Sequence, residues 1–146
     1  MKTYKPTTPS KRHQTTVSYR NVLTKSEPTK SLTKGFKRSV GRNNHGRITT
    51  RHKGGGHKRL YRDIDFMYNK HDIPAKITSI EYDPNRNAFI ALAVYADGEK
   101  RYVIVAKSVK VGDKFIVGEK APLSIGNRLP LKMIPVGTFV YNVEIK

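Results

Sequence analysis

The residues best suited to chemistry lie in residues 41–62, which read GRNNHGRITTRHKGGGHKRLYR. The arginines of this segment are planar donors that fit phosphates and base edges, and its lysines are compact positive charges. Gly54, Gly55 and Gly56 have no side chains, so their backbone amides can approach a phosphate closely and adopt positive φ. Asparagine and threonine add neutral donors and acceptors, while the histidines and Tyr61 add flat faces that can stack on unpaired bases. This mixture predicts binding to a folded RNA surface.

Three other chemistries fit these residues less well. A nucleotide-binding phosphate loop requires a glycine-lysine pair followed by serine or threonine. Here Lys58 follows His57 and is itself followed by Arg59. The three histidines of the segment suggest a metal cluster, yet no cysteine or nearby carboxylate completes a ligand set. Asp63 and Asp65 suggest paired carboxylates or a magnesium site, but we expect them to pair with Arg62 or Lys70, or to be solvated at the edge of the domain. The sequence therefore predicts no catalytic residue, no metal or other cofactor, and no enzymatic activity.

Charge is distributed unevenly along the 146 residues. The chain carries 29 basic and 11 acidic residues, a net charge of +18, and its pI is about 10.3. Residues 1–62 contain 17 of the basic residues and a single acid, Glu27, whereas residues 63–146 contain 12 basic and 10 acidic residues. An excess of this size attracts a polyanion. A flexible basic tail that binds any anion is the alternative, although the non-repetitive order of arginine, glycine, asparagine and histidine favours a fitted surface.

A domain boundary is predicted near residue 62. The few apolar residues of the segment before it follow neither the period of a strand nor that of a helix. Such a segment buries too little apolar surface to offset the loss of about 1–2 kcal/mol of backbone entropy for each ordered residue. We therefore predict an extended basic arm over residues 1–62, which orders only against a partner, and a folded domain over residues 63–146.

The folded domain shows the pattern of a small all-β protein. Short runs of β-branched and aromatic residues alternate with turn signals at 83–85 and 97–98. About five short antiparallel strands fit a five-stranded oligonucleotide-binding (OB) fold barrel best, and an SH3-like barrel is the alternative. The predicted strands cover residues 75–82, 87–95, 100–105, 114–116 and 134–145.

Alternation along these runs predicts which side chains are buried. In the first run, strict alternation places Ser79 and Glu81 on the same face as Ile77. The second run is nearly all apolar, as a strand buried on both faces would be. Aromatic residues within apolar runs are predicted to belong to the core; these are Phe89, Tyr95, Tyr102 and Phe139.

The sequence also limits the setting of the protein. Cysteine is absent, so disulfides and thiolate zinc sites are excluded. No apolar run approaches the roughly 18 residues that a membrane span needs, and the N-terminus lacks the apolar stretch of a signal peptide. We expect a soluble, non-secreted protein with no membrane partner.

Several long motifs resemble one known family. Residues 41–62, IEYDPNR at 80–86, DGEKRY at 97–102 and NVE at 142–144 resemble the N-terminal half of the ribosomal large-subunit protein L-two family, in its bacterial or organellar form. The resemblance implies an OB barrel preceded by an extended basic arm, both packed on large-subunit ribosomal RNA. It further implies a structural role in the large ribosomal subunit, and therefore in translation. The family continues into a second, SH3-like barrel that has no counterpart here.

The resemblance implies partners and a location. The partners would be large-subunit ribosomal RNA and neighbouring ribosomal proteins. The SH3-like half would be supplied by a second chain or by a continuation of this one. The location would be a ribosome, either in a bacterial cytoplasm or in a mitochondrion or other organelle. The alternative function is that of a free RNA chaperone or single-stranded nucleic-acid-binding OB protein. That alternative requires exposed aromatic side chains on the barrel face.

The RNA contacts implied by the resemblance concentrate in the basic segment. Arg86, in the IEYDPNR motif, is a further predicted contact, and a salt bridge to Asp83 is its alternative role. The predicted contacts are Arg42, Asn43, Asn44, Arg47, Thr49, Arg51, His52, Lys53, Gly54, Gly55, Gly56, His57, Lys58, Arg59, Arg62 and Arg86.

Overall fold

The structure, a computed structural model, describes residues 1–145. Lys146, the last residue of the predicted barrel domain, lies outside the described residues. Within residues 1–145, helix is limited to α1 (Pro9–Arg12) and to 3₁₀ turns at Tyr19–Asn21, Lys30–Leu32 and Leu131–Met133. The strands are β1 (Lys2–Thr3), β2 (Thr15–Thr16), β3 (Thr33–Phe36), β4 (Arg59–Arg62), β5 (Ala75–Glu81), β6 (Ile90–Tyr95), β7 (Lys100–Ile104) and β8 (Lys114–Phe115).

The predicted all-β class is confirmed by a curled antiparallel sheet with the strand order β7-β6-β5-β8. Strand β6 is buried on both faces, as its apolar sequence predicts. Local turn chemistry forms the two hairpins of this sheet. Between β5 and β6, the Asp83 carboxylate accepts the Asn85 backbone N–H at 2.9 Å. Between β6 and β7, Gly98 adopts a φ of +86°, which suits glycine after Asp97.

A β-bulge in β5 changes which side chains share a face. The register shifts between Ile77, which is opposite Ala93, and Ser79, which is opposite Leu92. Because Thr78 is the extra residue, Ser79 and Glu81 lie on the face opposite to that of Ile77. The expectation that all three share one face was wrong for this reason. The bulge therefore allows Ile77 and Glu81 both to be buried, but against different neighbours.

Each face of the sheet buries an apolar cluster. We call the face of Ile77 the inner face and the face of Leu92 the outer face. The cluster on the inner face contains Tyr68, Ala75, Ile77, Ile80, Ala91, Ala93, Tyr95, Val103, Val109, Phe115 and Val117. The cluster on the outer face contains Ile64, Ile90, Leu92 and Tyr102, with Leu32 and Ile104 packed against it.

The predicted strand over residues 134–145 was wrong. These residues form no strand, and Phe139, predicted to be core, is fully exposed. Turn-forming backbone interrupts the apolar pattern, because Gly137 has a φ of +93° and Asn142 a φ of +51°. An ion pair of 2.6 Å between Arg128 and Glu144 fixes the segment to the rest of the chain. Within residues 1–145 the curled sheet consequently has four strands, not five.

The base of the predicted arm is tied to the outer face of the sheet. Leu32 packs against the cluster on that face. The Thr29 N–H donates to the Tyr102 hydroxyl at 2.8 Å, and the Asp63 N–H donates to the Leu32 carbonyl at 2.9 Å. Contacts therefore cross residue 62, and the division into an arm and a barrel stays a prediction. The structure thus shows that Thr29 and Leu32 of the arm are attached to the outer face of the sheet.

Candidate nucleic-acid interface

Strands β3 and β4 form a two-stranded ribbon that carries the basic segment. Their antiparallel register runs from Thr33 opposite Arg62 to Phe36 opposite Arg59. The rings of Phe36 and Tyr61 lie 6.0 Å apart on one side of the ribbon, which helps to hold that register. The ribbon therefore brings the two ends of residues 37–58 together, and this loop holds most of the predicted RNA contacts.

The first half of the loop folds back on Gly41. The Gly41 carbonyl accepts hydrogen bonds from the backbone N–H groups of Thr49 at 2.8 Å and Thr50 at 3.1 Å. Gly41 has a φ of +75°, and a Cβ atom at this position would collide with the Thr50 carbonyl oxygen. Only glycine fits this closure without strain. Residues 41–50 are thus a small closed turn.

Two asparagines within this turn have structural roles. The Asn43 carboxamide oxygen accepts the Arg47 backbone N–H at 2.9 Å, and the Asn43 N–H donates to the Arg47 carbonyl at 3.0 Å. The Asn44 carboxamide oxygen accepts the N–H of His45 at 3.1 Å. Arg42 donates through Nη1 to the Gly46 carbonyl at 3.0 Å. These bonds hold the turn in shape and leave the Arg47 guanidinium directed at solvent.

The second half of the loop has free backbone donors. Residues 51–58 are all exposed, and none of them takes part in a backbone–backbone hydrogen bond within residues 1–145. Gly54 and Gly55 have φ values of +129° and +69°, which are conformations that glycine adopts without strain. Successive free N–H groups in such a conformation form a concave anion-binding surface. This stretch can donate to phosphates through its backbone as well as through its side chains.

The cationic side chains of the interface are also free of acidic partners. Among residues 1–145, the only basic residue of the arm that forms a salt bridge is Lys34, which pairs with Asp63 at 2.6 Å. That hydrogen bond raises the pKa of the exposed Lys34 amine. The acidic side chains pair mainly with cations of residues 63–146, which we call the sheet domain, so the loop retains its full positive charge. The cations of the loop that form no salt bridge are Lys37, Arg38, Arg42, Arg47, Arg51, Lys53 and Lys58.

The family comparison agrees with this geometry. Residues 29–117 match the sequence model of the family described as Ribosomal Proteins L2, RNA binding N-terminal domain. The chain belongs to this family. The match includes the ribbon, its loop and all four strands of the curled sheet, so the resemblance predicted from the motifs is confirmed. The L2 family is one of structural RNA-binding proteins, which makes ribosomal RNA the partner and the ribosome the location.

Two of the predicted L2 contacts lie at the root of the ribbon. Arg62 is only 8% exposed and donates through Nη1 to the Leu60 carbonyl at 2.8 Å. Arg86 pairs through Nε with the fully buried Asp83 at 2.5 Å, which is the structural role that the sequence left open. The Asn85 carboxamide also donates to the Leu60 carbonyl, at 2.9 Å. The IEYDPNR turn of the L2 motif thus supports the ribbon, and RNA contact by Arg62 and Arg86 stays a prediction.

The two acidic residues beyond the loop have partners other than those expected. Asp63 pairs with Lys34 across the ribbon, and Asp65 pairs with Arg101 of β7 at 2.8 Å. The expected pairing with Arg62 or Lys70 was wrong, because β3 and β7 bring cations from distant positions closer. Both carboxylates are therefore neutralised within the fold. Among residues 1–145, no cluster of three or more histidine, cysteine or acidic side chains is arranged to hold a metal ion.

One cation beside the candidate interface is not among the contacts predicted from the sequence. Arg38 precedes the basic segment, and its guanidinium lies against Gly56, where an added Cβ would be 2.6 Å from Nη2. The pairing of Phe36 with Arg59 brings the residues after β3 alongside those before β4. That register is the signal that would have identified Arg38.

No helix within residues 1–145 has the length and apolar content of a membrane span.

Proposed function

We propose that the chain is a structural constituent of the large ribosomal subunit, where it binds and stabilises large-subunit ribosomal RNA and catalyses no reaction. One observation carries the proposal. An exposed loop, residues 37–58, combines cations that lack acidic partners with free backbone donors, and a ribbon anchored in the folded domain presents it. This arrangement suits a folded RNA better than a small anion, because its donors are spread along the whole loop.

The loop would act by neutralising phosphates where RNA segments approach one another. Each phosphate contact releases a condensed counterion, so the binding free energy should depend steeply on salt concentration. The guanidinium groups of Arg47 and Arg51 can each form paired hydrogen bonds with a phosphate or a base edge. The glycines at 54–56 allow the RNA backbone to approach the peptide closely. Structure-specific binding follows from the closed turn at Gly41, which fixes the spacing of these groups.

The sheet domain supports this role and disfavours the alternative of a free single-strand-binding protein. Binding of that kind requires aromatic rings exposed on the sheet so that bases can stack on them. Tyr95 is 2% exposed and Tyr102 is fully buried. Phe89 is partly buried against the cluster on the inner face. The aromatic residues of the sheet therefore stabilise the core.

The resemblance to the L2 family supports a wider setting for the protein. We propose that it contacts neighbouring ribosomal proteins of the large subunit. The ribosome would be that of a bacterial cytoplasm, a mitochondrion or another organelle. Co-purification of the ribosomes that contain this protein, followed by identification of their proteins, would test each of these partners.

Binding to deproteinised large-subunit ribosomal RNA tests the loop directly. We expect the full chain to bind this RNA in preference to small-subunit ribosomal RNA. The variant R47A/R51A/K53A should bind the same RNA by orders of magnitude more weakly while its sheet domain stays folded. The matched control K107A/K120A/K132A removes three exposed lysines that lie outside the arm. Equal binding by the two variants would contradict the role proposed for the loop.

Sedimentation tests the assignment to the large subunit. Native lysate is fractionated through a magnesium-containing sucrose gradient, and the protein is detected across the fractions. We expect migration with the large subunit and release in high salt, because phosphate contacts dominate the binding. Migration only as a small free species would support the chaperone alternative.

A further inference from the structure

A row of lysines crosses the outer face of the sheet. Lys76 of β5 is opposite Val94 of β6 on one side and Lys114 of β8 on the other. Val94 is in turn opposite Lys100 of β7. These four residues therefore form one continuous row across all four strands, and all three lysines are exposed. We call Lys76, Lys100 and Lys114 the lysine row.

The lysine row lacks neutralising partners within residues 1–145. None of its three lysines forms a salt bridge. The acids nearest in sequence to Lys100 are engaged elsewhere, since Asp97 pairs with Lys70, and Glu99 pairs with Lys70 and Arg101. Residues 63–146 carry nearly equal numbers of basic and acidic residues, but the acidic residues near the row pair with other cations. The lysine row therefore keeps its positive charge.

The direct pairing of Lys76 with Lys114 costs stability in the free protein. Like charges directly opposite each other on neighbouring strands are destabilising. Directly opposite residues have Cβ atoms roughly 4.5–5.5 Å apart, so the two amines can reach a single anion between them. An anion bound between them would remove this cost.

A groove on the sheet is lined by two of the three lysines of the row. It has a volume of about 360 Å³ and is lined by Lys76, Lys114, Pro74, Thr78, Val94 and Ala96, together with parts of the adjoining strands. Its floor is mainly apolar, and Lys76 and Lys114 are its charged lining residues. A sugar–phosphate backbone has the matching character, with a ribose for the floor and phosphates for the amines.

The lysine row also shares a face with the base of the arm. The next pair of opposite residues on the outer face is Leu92 of β6 and Tyr102 of β7. Tyr102 accepts the hydrogen bond from Thr29 of the arm. Successive residues on one face of a strand lie roughly 7 Å apart, so the row starts about that distance from the arm attachment. An RNA held by the arm would thus lie close to the row.

We propose that Lys76, Lys100 and Lys114 form a second phosphate-binding surface, which holds the sugar–phosphate backbone of the same RNA that the arm binds. This inference rests on the proposed function, because it assigns a second contact to the same RNA partner. The arm and the row bind two separate parts of the RNA, and the sheet sets the distance between them. The row contributes affinity without sequence preference, since lysines contact phosphates as point charges.

The salt dependence of binding tests this surface. The variant K76Q/K100Q/K114Q is compared with the matched control K107Q/K120Q/K132Q, which removes the same charge from exposed lysines outside the row. The probe is deproteinised large-subunit ribosomal RNA. We expect the slope of log affinity against log salt to fall by roughly one for each lysine of the row, and to change much less in the control. Equal slopes in the two variants would overturn the inference.

The outcomes separate this inference from the proposed function. One outcome is that R47A/R51A/K53A loses binding while the two glutamine variants show equal salt slopes. That result would support RNA binding by the arm and contradict RNA binding by the lysine row. Absence of binding by the unaltered chain would reject the proposed function, and the row with it. The row variant should also unfold at a temperature no lower than that of the unaltered chain at low salt, because a repulsion has been removed.

Chemical protection provides a test that needs no variant. The unaltered chain is treated with an amine-acylating reagent, with and without the ribosomal RNA, and modified lysines are identified by mass spectrometry. We expect Lys76, Lys100 and Lys114 to be protected by the RNA, and Lys107, Lys120 and Lys132 to react equally in both states. Unchanged reactivity of the lysine row on RNA binding would exclude it as a contact.

Discussion

The Tyr102 hydroxyl donates a hydrogen bond of 2.6 Å to the buried carboxylate of Glu81. The same hydroxyl accepts the Thr29 backbone N–H, and the other Glu81 oxygen accepts the Ser79 hydroxyl at 2.9 Å. Burial, and then the hydrogen bond to Glu81, raise the pKa of Tyr102 above its ordinary value of 10.0, so the hydroxyl keeps its proton at neutral pH. A single buried network thus joins the arm to two strands of the sheet.

Removing the Tyr102 hydroxyl should destabilise the fold. In Tyr102→Phe, the Glu81 carboxylate and the Thr29 N–H each lose a partner, which should lower the free energy of unfolding by about 1–3 kcal/mol. Chemical denaturation would measure this change. Tyr95→Phe is the matched control, because the Tyr95 hydroxyl is buried without a hydrogen-bond partner within residues 1–145. Equal losses in the two variants would contradict the role of the network.

Closing the loop on Gly41 should matter for RNA binding more than for folding. In Gly41→Ala, a Cβ collides with the Thr50 carbonyl and the backbone must leave its φ of +75°. Strain of this kind costs about 1–3 kcal/mol, so affinity for large-subunit ribosomal RNA should fall by about tenfold or more. Gly35→Ala is the control, since that glycine lies in β3 with open space around it. Affinity equal to that of the control would show that the closed turn is dispensable.

Breaking the ion pair between Arg86 and Asp83 should affect stability strongly. Asp83 is fully buried, and Arg86→Ala leaves its charge without the 2.5 Å partner. The expected loss in the free energy of unfolding is about 3–5 kcal/mol. Denaturant titration of the free protein would measure it. The double variant R86A/D83N should recover part of this loss, and absence of recovery would argue against an uncompensated buried charge as the cause.

Stability should decrease in acid through the carboxylates around Lys70. The Lys70 amine donates to Asp97 and lowers its pKa, while Arg101 first and Lys70 second lower the pKa of Glu99. Because both folded-state values lie below the ordinary values of 3.8 and 4.5, the stabilisation is fully present above these values and is lost as pH falls below them. Urea denaturation at pH 7 down to pH 3 would follow the loss. Lys70→Met should show a shallower decrease over this range, and an unchanged profile would contradict the assignment.

Short-range features of the molecule were predictable from the sequence. The strands at 75–81, 90–95 and 100–104 follow from apolar patterning and from turn signals that act within a few residues, as at Asp97-Gly98. The concentration of positive charge before residue 63, the glycines of the loop and the family motifs are equally local. These features depend on chemistry between neighbours, so the fold class and the family could be inferred from the sequence, while RNA binding by residues 41–62 stays a prediction.

Only the tertiary structure decided the features that depend on distant pairs. The bulge at Thr78 reversed the facing of Ser79 and Glu81, because one extra residue exchanges the two faces of every following position. The ribbon pairs Thr33 with Arg62, and this long-range contact buries Arg62. The partners of Asp63 and Asp65 and the alignment of the lysine row likewise arise from the pairing of strands. Pairing between segments that lie far apart in the sequence depends on packing across the whole fold, which no local pattern in the sequence encodes.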